Sequence, residues 1–401
     1  MTASSDRPTP GGPAAVARHA PVLYTLRSKA PMRISFAGGG TDVAPFPEQR
    51  GGAVLNCTID KYAYATARVF DDGRGELLVT SVDYDTSAHY SLTADLSYNG
   101  ELDLVKAAIK VLRPYAHDRL ASKRSIGLFL HSDAPPGTGL GSSSALCVAL
   151  VGAFAHYLNQ PWTPYEIAEL AFRIEREELG IRGGRQDQYA ATFGGFNFME
   201  FGPDRTVVAP LKIPREILNE LSYRLLLCYT GTTRYSGGII ERQQAGVRAG
   251  RSESLQALEE TKAIAVAMKN ELLRGNVDEL GRLLDEGWQL KKRFAEGITT
   301  PQIDAFYARA REAGAIGGKL LGAGGGGHLL LFCDYERRAE VIRAVHALGG
   351  EAIDFAFEFE GLQTWNVRPP GPGGPTSTTP SARARGPDSG GRGGSSGTSR
   401  A

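Results

Sequence analysis

The chain is short of several things that would place it quickly. Net charge is almost absent: 45 lysines and arginines stand against 44 aspartates and glutamates, a formal +1. No broad basic field follows, which excludes nucleic acid or an anionic membrane surface as the main partner but leaves room for local clusters that bind a small anion. Cysteine is scarce. Cys57, Cys147, Cys228 and Cys333 are far apart, each inside an apolar run. That is the pattern of buried, reduced thiols, and it points to a cytoplasmic protein. No apolar run approaches the length of a membrane span, and none near the N-terminus has the form of a signal peptide.

Glycine is what the chain has in quantity, 50 of 401 residues, and three clusters of it organise the reading. Both ends are expected to be disordered: residues 1–22 mix Pro, Gly, Ala, Ser and Thr, and residues 368–401 are almost wholly Pro, Gly, Ser, Thr and Arg. Such segments bury too little apolar surface to offset their ordering entropy. Between them, strands are expected at 32–36, 62–70, 76–81, 125–131, 194–201, 224–229, 328–332 and 352–359. Helices are expected at 103–112, from the serine-rich loop to Leu158, from Thr163-Pro164 onward, over 235–293 with breaks near Gly250 and Gly275, from Pro301, and over 335–348. Strands and helices mix without regular βαβ repeats, which predicts an α+β enzyme of two domains, 23–210 and 211–367.

The most informative segment is Pro135-Pro136-Gly137-Thr138-Gly139-Leu140-Gly141-Ser142-Ser143-Ser144-Ala145, which runs into the apolar stretch Leu146–Val151. A glycine loop that empties into a helix start leaves backbone N–H groups unpaired at the positive end of the helix dipole. That makes a phosphate cradle, and the serines add hydroxyl donors or a metal ligand. A Walker loop is excluded because Ser142-Ser143 stand where it needs Lys-Ser or Lys-Thr, and the Gly318-Lys319 pair continues into Leu320. A dinucleotide fingerprint is spelled at Gly322–Gly327, but an apolar strand and not a helix follows it.

Two further segments carry chemistry. In Arg33-Ile34-Ser35-Phe36-Ala37-Gly38-Gly39-Gly40-Thr41-Asp42 a strand ends in three glycines and presents Thr41 and Asp42. An aspartate there can accept hydrogen bonds from vicinal hydroxyls of a sugar. In Glu175-Arg176-Glu177-Glu178 through Gly183-Gly184-Arg185-Gln186-Asp187 a helix bearing carboxylates breaks at glycines and restarts at a lone aspartate. A kinase needs one carboxylate for Mg²⁺ and another near the accepting hydroxyl.

In this order and spacing the three glycine segments resemble those of the GHMP small-molecule kinases, over residues 27–367. The resemblance implies an N-terminal domain like ribosomal protein S5 domain 2, a ferredoxin-like C-terminal domain, and ATP and substrate between them. It implies that Pro136–Ser144 wrap the nucleotide phosphates, that Ser143 and Glu175 hold Mg²⁺, that Asp187 is the catalytic aspartate, and that Gly322–Gly327 brace the phosphate loop. Arg33 is expected to stabilise developing charge or to keep Asp187 ionised. Galactokinases read Gly-Glu-His-Thr-Asp where this chain has Gly38-Gly39-Gly40-Thr41-Asp42, which opens space and argues against galactose. With Thr58–Tyr62, Gly184–Ala190 and Thr230–Arg234, the pattern is similar to the heptose 7-phosphate kinase branch and its fucokinase-like relatives. The implied acceptor is the anomeric hydroxyl of a sugar phosphate. Gly39, Gly40, Thr41 and Asp42 would line its site, and Lys61, Arg182, Arg185 and Arg234 are candidates for its distal phosphate.

Overall fold

The computed structural model describes residues 21–116, 124–232 and 237–367. Among these residues twelve strands divide between two sheets. β1 (Val22–Ala37), β2 (Gly52–Phe70), β3 (Glu76–Ser81), β4 (Thr86–Ser91), β5 (Ser125–Ser132), β6 (Phe196–Phe201) and β7 (Thr206–Pro210) build the first. β8 (Leu225–Tyr229), β9 (Ala315–Leu320), β10 (His328–Cys333) and β11 (Glu351–Ile353) build the second. The remaining strand, β12 (Gln363–Val367), returns to the first sheet beside β1.

The first sheet runs β12-β1-β2-β5-β3-β4, with β6 and then β7 continuing from the other half of β2. Among the described residues only β3 and β5 pair in parallel. β2 is long enough to pair β6 through Gly52–Cys57 and β5 through Ala63–Phe70. The second sheet, β11-β8-β10-β9, is antiparallel throughout. Its two faces are both covered. Leu225 and Leu227 of β8 join one apolar cluster while Leu226 and Cys228 join another, as the two-residue period of a strand requires. The helix Ser142–Leu158 is apolar on nearly every side and lies buried against β1 and β2. All four cysteines are buried free thiols.

Several expected elements sit where the sequence puts them: the helix Asp103–Leu112, the strand Glu76–Ser81, and helices Gly237–Arg248, Ser252–Arg274 and Val277–Lys292 separated near Gly250 and Gly275. The expected strand over 352–359 is corrected. Only Ala352 and Ile353 belong to a ladder; beyond them Asp60 and Ala356 exchange backbone and side-chain hydrogen bonds, and Phe357 makes an isolated bridge to Ile59. The segment is thus tied to an irregularity in β2 rather than to a neighbouring strand. Residues 1–20, Arg234 and the tail from 368 lie outside the described residues.

Candidate active site

The glycine loop joins β5 to the helix Ser142–Leu158, whose N-cap is Gly141 with no capping side chain. First-turn amides are therefore left for a ligand. Thr138 Oγ1 and Ser142 Oγ both donate to Pro135 O (2.8 and 3.2 Å) and close the loop on itself. The third glycine run packs against it, backbone on backbone. A Cβ on Gly322 would lie 2.6 Å from Gly139 Cα, and one on Gly139 would lie 2.8 Å from Leu321 O, so neither position admits a side chain. His328 adds a brace: its backbone N–H (3.1 Å) and its Nδ1 (2.8 Å) both reach Thr138 O, which makes Nδ1 the protonated nitrogen. Gly137, Gly139, Gly141, Ser142, Ser143 and Ser144 line the cleft, whereas Thr138 and Leu140 are buried beneath the loop and Pro136 is half-buried outside the cleft lining.

Arg33, buried on β1, ties three parts together. Its Nε donates to Asp187 Oδ1 at 2.7 Å, a second guanidinium nitrogen approaches the same oxygen at 2.6 Å, and a third reaches Gly139 O at 2.5 Å. Its backbone N–H bonds Leu140 O at 3.0 Å. Asp187, in the first turn of the helix Gln186–Phe193, is thereby held beside the glycine loop. Both residues line the cleft.

Glu175 is reached through a local irregularity. The helix Pro164–Phe172 passes into a π-helical turn, Arg173–Glu178, which buries Ile174 and Glu175 together. One carboxylate oxygen of Glu175 accepts from Ser143 Oγ at 2.8 Å, and the other accepts from Gln188 Nε2 at 2.6 Å, which also donates to Ser144 Oγ at 3.1 Å. A hydroxyl and one carboxylate suit Mg²⁺, which takes few protein ligands and completes its shell with water and phosphate oxygens.

The sugar-side residues fall into two groups. Gly39, Gly40 and Asp42 line the cleft with Ser35 and Gln186, whose Oγ and Oε1 are buried without a hydrogen-bond partner. Asp42 accepts from the backbone N–H of Gly40 (3.0 Å) and Gln186 (3.1 Å), so it also joins the first glycine segment to the helix carrying Asp187. Burial raises its pKa, the Gln186 amide opposes this, and Asp187 adds to it. Gly184 packs directly on this carboxylate: a Cβ there would lie 1.9 Å from Asp42 Oδ2. Thr41 is fully buried, its hydroxyl spent on Gly38 O, Ala53 O and Ala53 N.

The expected cations are also divided. Arg182 lines the cleft while donating to Gln244 Oε1 and Glu241 Oε1, both at 3.0 Å. Arg185 pairs with Glu48 (3.3 Å), stacks over Phe172, and does not line the cleft; nor does Lys61. Three cations that sequence reasoning missed do: Arg176, Lys291 and Lys319. Lys291 donates to Leu320 O (2.8 Å) and Gly322 O (2.6 Å), and Lys319 donates to Phe36 O (3.2 Å). Burial, then Arg33, lower the pKa of Lys319 to about 7; burial, then Lys319 and Arg33, push Lys291 well down. A signal for Lys291 existed, since it continues the buried face Leu280, Leu284, Trp288 of its helix at helical spacing.

Comparison with known proteins identifies the family. The pattern described as the GHMP kinases N terminal domain matches residues 103–195, and the GHMP kinases C terminal pattern matches 268–351. The chain is 38% identical over 346 residues to the D-glycero-alpha-D-manno-heptose 7-phosphate kinase of Campylobacter jejuni, covering 86% of this chain and all of that one. It is 28% identical over 338 residues to the L-fucokinase/L-fucose-1-P guanylyltransferase of Bacteroides fragilis, of which it spans 35%. A crystal structure described as a D-glycero-D-manno-heptose 1-phosphate kinase from Bacteroides thetaiotaomicron superposes with a TM-score of 0.71 at 35% identity, over 86% of this chain and all of that one. Among the described residues no helix is long and apolar enough to cross a membrane. By its identity to the heptose 7-phosphate kinase over most of both chains, and by the two matched domains, the chain belongs to the GHMP kinases and is an ATP-dependent sugar kinase.

Proposed function

We propose that the chain transfers phosphate from ATP to the anomeric C1 hydroxyl of D-glycero-D-manno-heptose 7-phosphate, giving the 1,7-bisphosphate, with Mg²⁺ held by Ser143 and Glu175. The observation that carries this reading is the Asp187 carboxylate fixed by Arg33 against Gly139, where an acceptor hydroxyl meets the phosphate loop. ATP supplies the phosphoryl group. Asp187 orients the C1 hydroxyl and accepts its proton, and because an anomeric hydroxyl is more acidic than an ordinary alcohol, positioning carries much of the rate. Asp42, Ser35 and Gln186 bind ring hydroxyls; the two unpartnered polar atoms among them support that role. Arg182 is the favoured partner of the distal phosphate, because it lines the cleft and holds an exchangeable surface carboxylate, whereas Arg185 is occupied by Glu48.

The test is steady-state kinetics with heptose 7-phosphate, heptose 1-phosphate, the unphosphorylated heptose and L-fucose, with the product's new phosphate located by ³¹P NMR. Heptose 7-phosphate should have the highest kcat/KM and be phosphorylated at C1. Arg182→Ala should raise its KM about tenfold, the scale of one charge-assisted contact, and leave the KM of the unphosphorylated sugar unchanged. If the unphosphorylated sugar matches the phosphate ester, a fucokinase-like activity replaces this reading. A preference for heptose 1-phosphate would move the accepting hydroxyl away from C1.

A further inference from the structure

Lys291 and Lys319 are left without a task in the reading above. Both are more than nine-tenths buried, both line the cleft, and neither forms an ion pair with a carboxylate among the described residues. A buried ammonium with no ion-pair partner is costly, and Asp42 acts on Lys319 only from beyond salt-bridge distance, so two such lysines beside a buried arginine mark a place meant for an anion. Burial first, and neighbouring like charge second, lower both pKa values: Arg33 acts on Lys319, and Lys319 and Arg33 act on Lys291.

Their position says which anion. Lys319 is anchored to Phe36 O, just before the first glycine segment on the acceptor side. Lys291 is anchored to Gly322 O, and Gly322 backs onto Gly139 of the phosphate loop on the donor side. Arg33, whose charge both lysines feel, touches Asp187 and Gly139. An ammonium has three donors. Lys319 uses one and Lys291 two, which leaves three for a ligand.

We infer that Lys291 and Lys319, together with Arg33, form the seat of the phosphoryl group in transit, their free N–H donors taking the oxygens of the group as it passes from nucleotide to acceptor. The proposal rests on the kinase reading and specifies its charge stabilisation. A phosphoryl group in transfer carries its charge on three equatorial oxygens, which is what a preorganised cationic seat stabilises. The acceptor oxygen–phosphorus bond forms while the bond from phosphorus to the bridging oxygen of the departing ADP breaks. The hydroxyl proton goes to Asp187, and the lysines exchange none.

Lys291→Met and Lys319→Met keep side-chain length and remove the charge. Calorimetry in the absence of acceptor should show ATP affinity falling at least about tenfold in each while ADP affinity stays within about threefold, since only the terminal phosphoryl group reaches the seat. In turnover, kcat should fall at least about a hundredfold with the acceptor's KM unchanged, and Lys319→Arg should recover part of it. An unchanged ATP-to-ADP affinity ratio overturns the proposal. A rise confined to the KM of a phosphorylated acceptor overturns it too, by giving these lysines to the acceptor's own phosphate. If the methionine variants do not fold, the wild type decides: inorganic tripolyphosphate should raise its melting temperature more than pyrophosphate does, and equal shifts overturn the inference. The nucleotide measurements involve no sugar, so they stand or fall independently of which acceptor the enzyme uses.

Discussion

Arg33 and Asp187 depend on each other, and the dependence sets what a substitution at either would do. Asp187→Asn keeps the shape of the side chain but loses the proton acceptor and the negative charge, so turnover should drop at least about a hundredfold. It also leaves the buried Arg33 unpaired among two lysines. Breaking a fully buried pair costs about 3–5 kcal/mol; with the Asp187 side chain still 20% exposed, a loss of roughly 1–3 kcal/mol is expected in denaturant melts. Ser143→Ala should lose turnover on a similar scale with almost no change in stability, because Ser143 bonds only Glu175. Turnover within about threefold of wild type for Asp187→Asn would remove it from the reaction. Lys319 gives a different readout. Its folded pKa of about 7 lies below its ordinary 10.5, so between those values the unfolded chain binds a proton that the folded one does not. Stability should therefore rise as pH increases from 7 towards 10, and part of that slope should disappear in Lys319→Met. A slope that is the same in both proteins would mean that Lys319 titrates normally.

At the scale of the element, what was readable and what was not have separate physical causes. The helix Ser142–Leu158 and the loop before it were legible because the glycines, serines and apolar run follow one another without interruption. β3 was legible from its alternation of buried and half-buried residues. β9 was not, because Gly317 and Gly318 erase the strand signature. They are glycines for a spatial reason: a Cβ on Gly317 would lie 1.9 Å from Gly281 O in the helix that crosses the strand. β4 alternates only between half-buried and exposed residues, and its half-buried face, Thr86, Ala88 and Tyr90, carries too little apolar surface to show a period. The candidate site divided similarly. Motif positions such as Gly139, Ser143 and Asp187 could be found along the chain, whereas the lysine pair exists only once β9 and the helix Val277–Lys292 are brought together. The backbone contact between the loop and the third glycine run yields its own prediction. Gly322→Ala puts a methyl at positive φ and 2.6 Å from Gly139 Cα, so it should cost on the order of 1–3 kcal/mol and weaken ATP binding with it. Wild-type ATP affinity in a destabilised variant would separate the brace from the cradle.

At the scale of the whole molecule, the first sheet is completed from both ends of the described chain. β12 pairs with β1 from Thr25↔Val367 to Lys29↔Gln363, and Leu362 fills the space over Gly152 in the helix that follows the glycine loop. A chain ended at Gly361 should melt at least about 5 °C below one ended at Val367, because it loses a strand and an apolar anchor. Equal melting temperatures would make β12 an ornament of the edge. The pairing also has a consequence in time. A ribosome delivers about 5–20 residues per second, so β1 emerges many seconds before the strand that covers its outer edge. Throughout that interval the edge is a row of open backbone donors and acceptors, and the nascent chain is most exposed to wrong partners at its oldest strand.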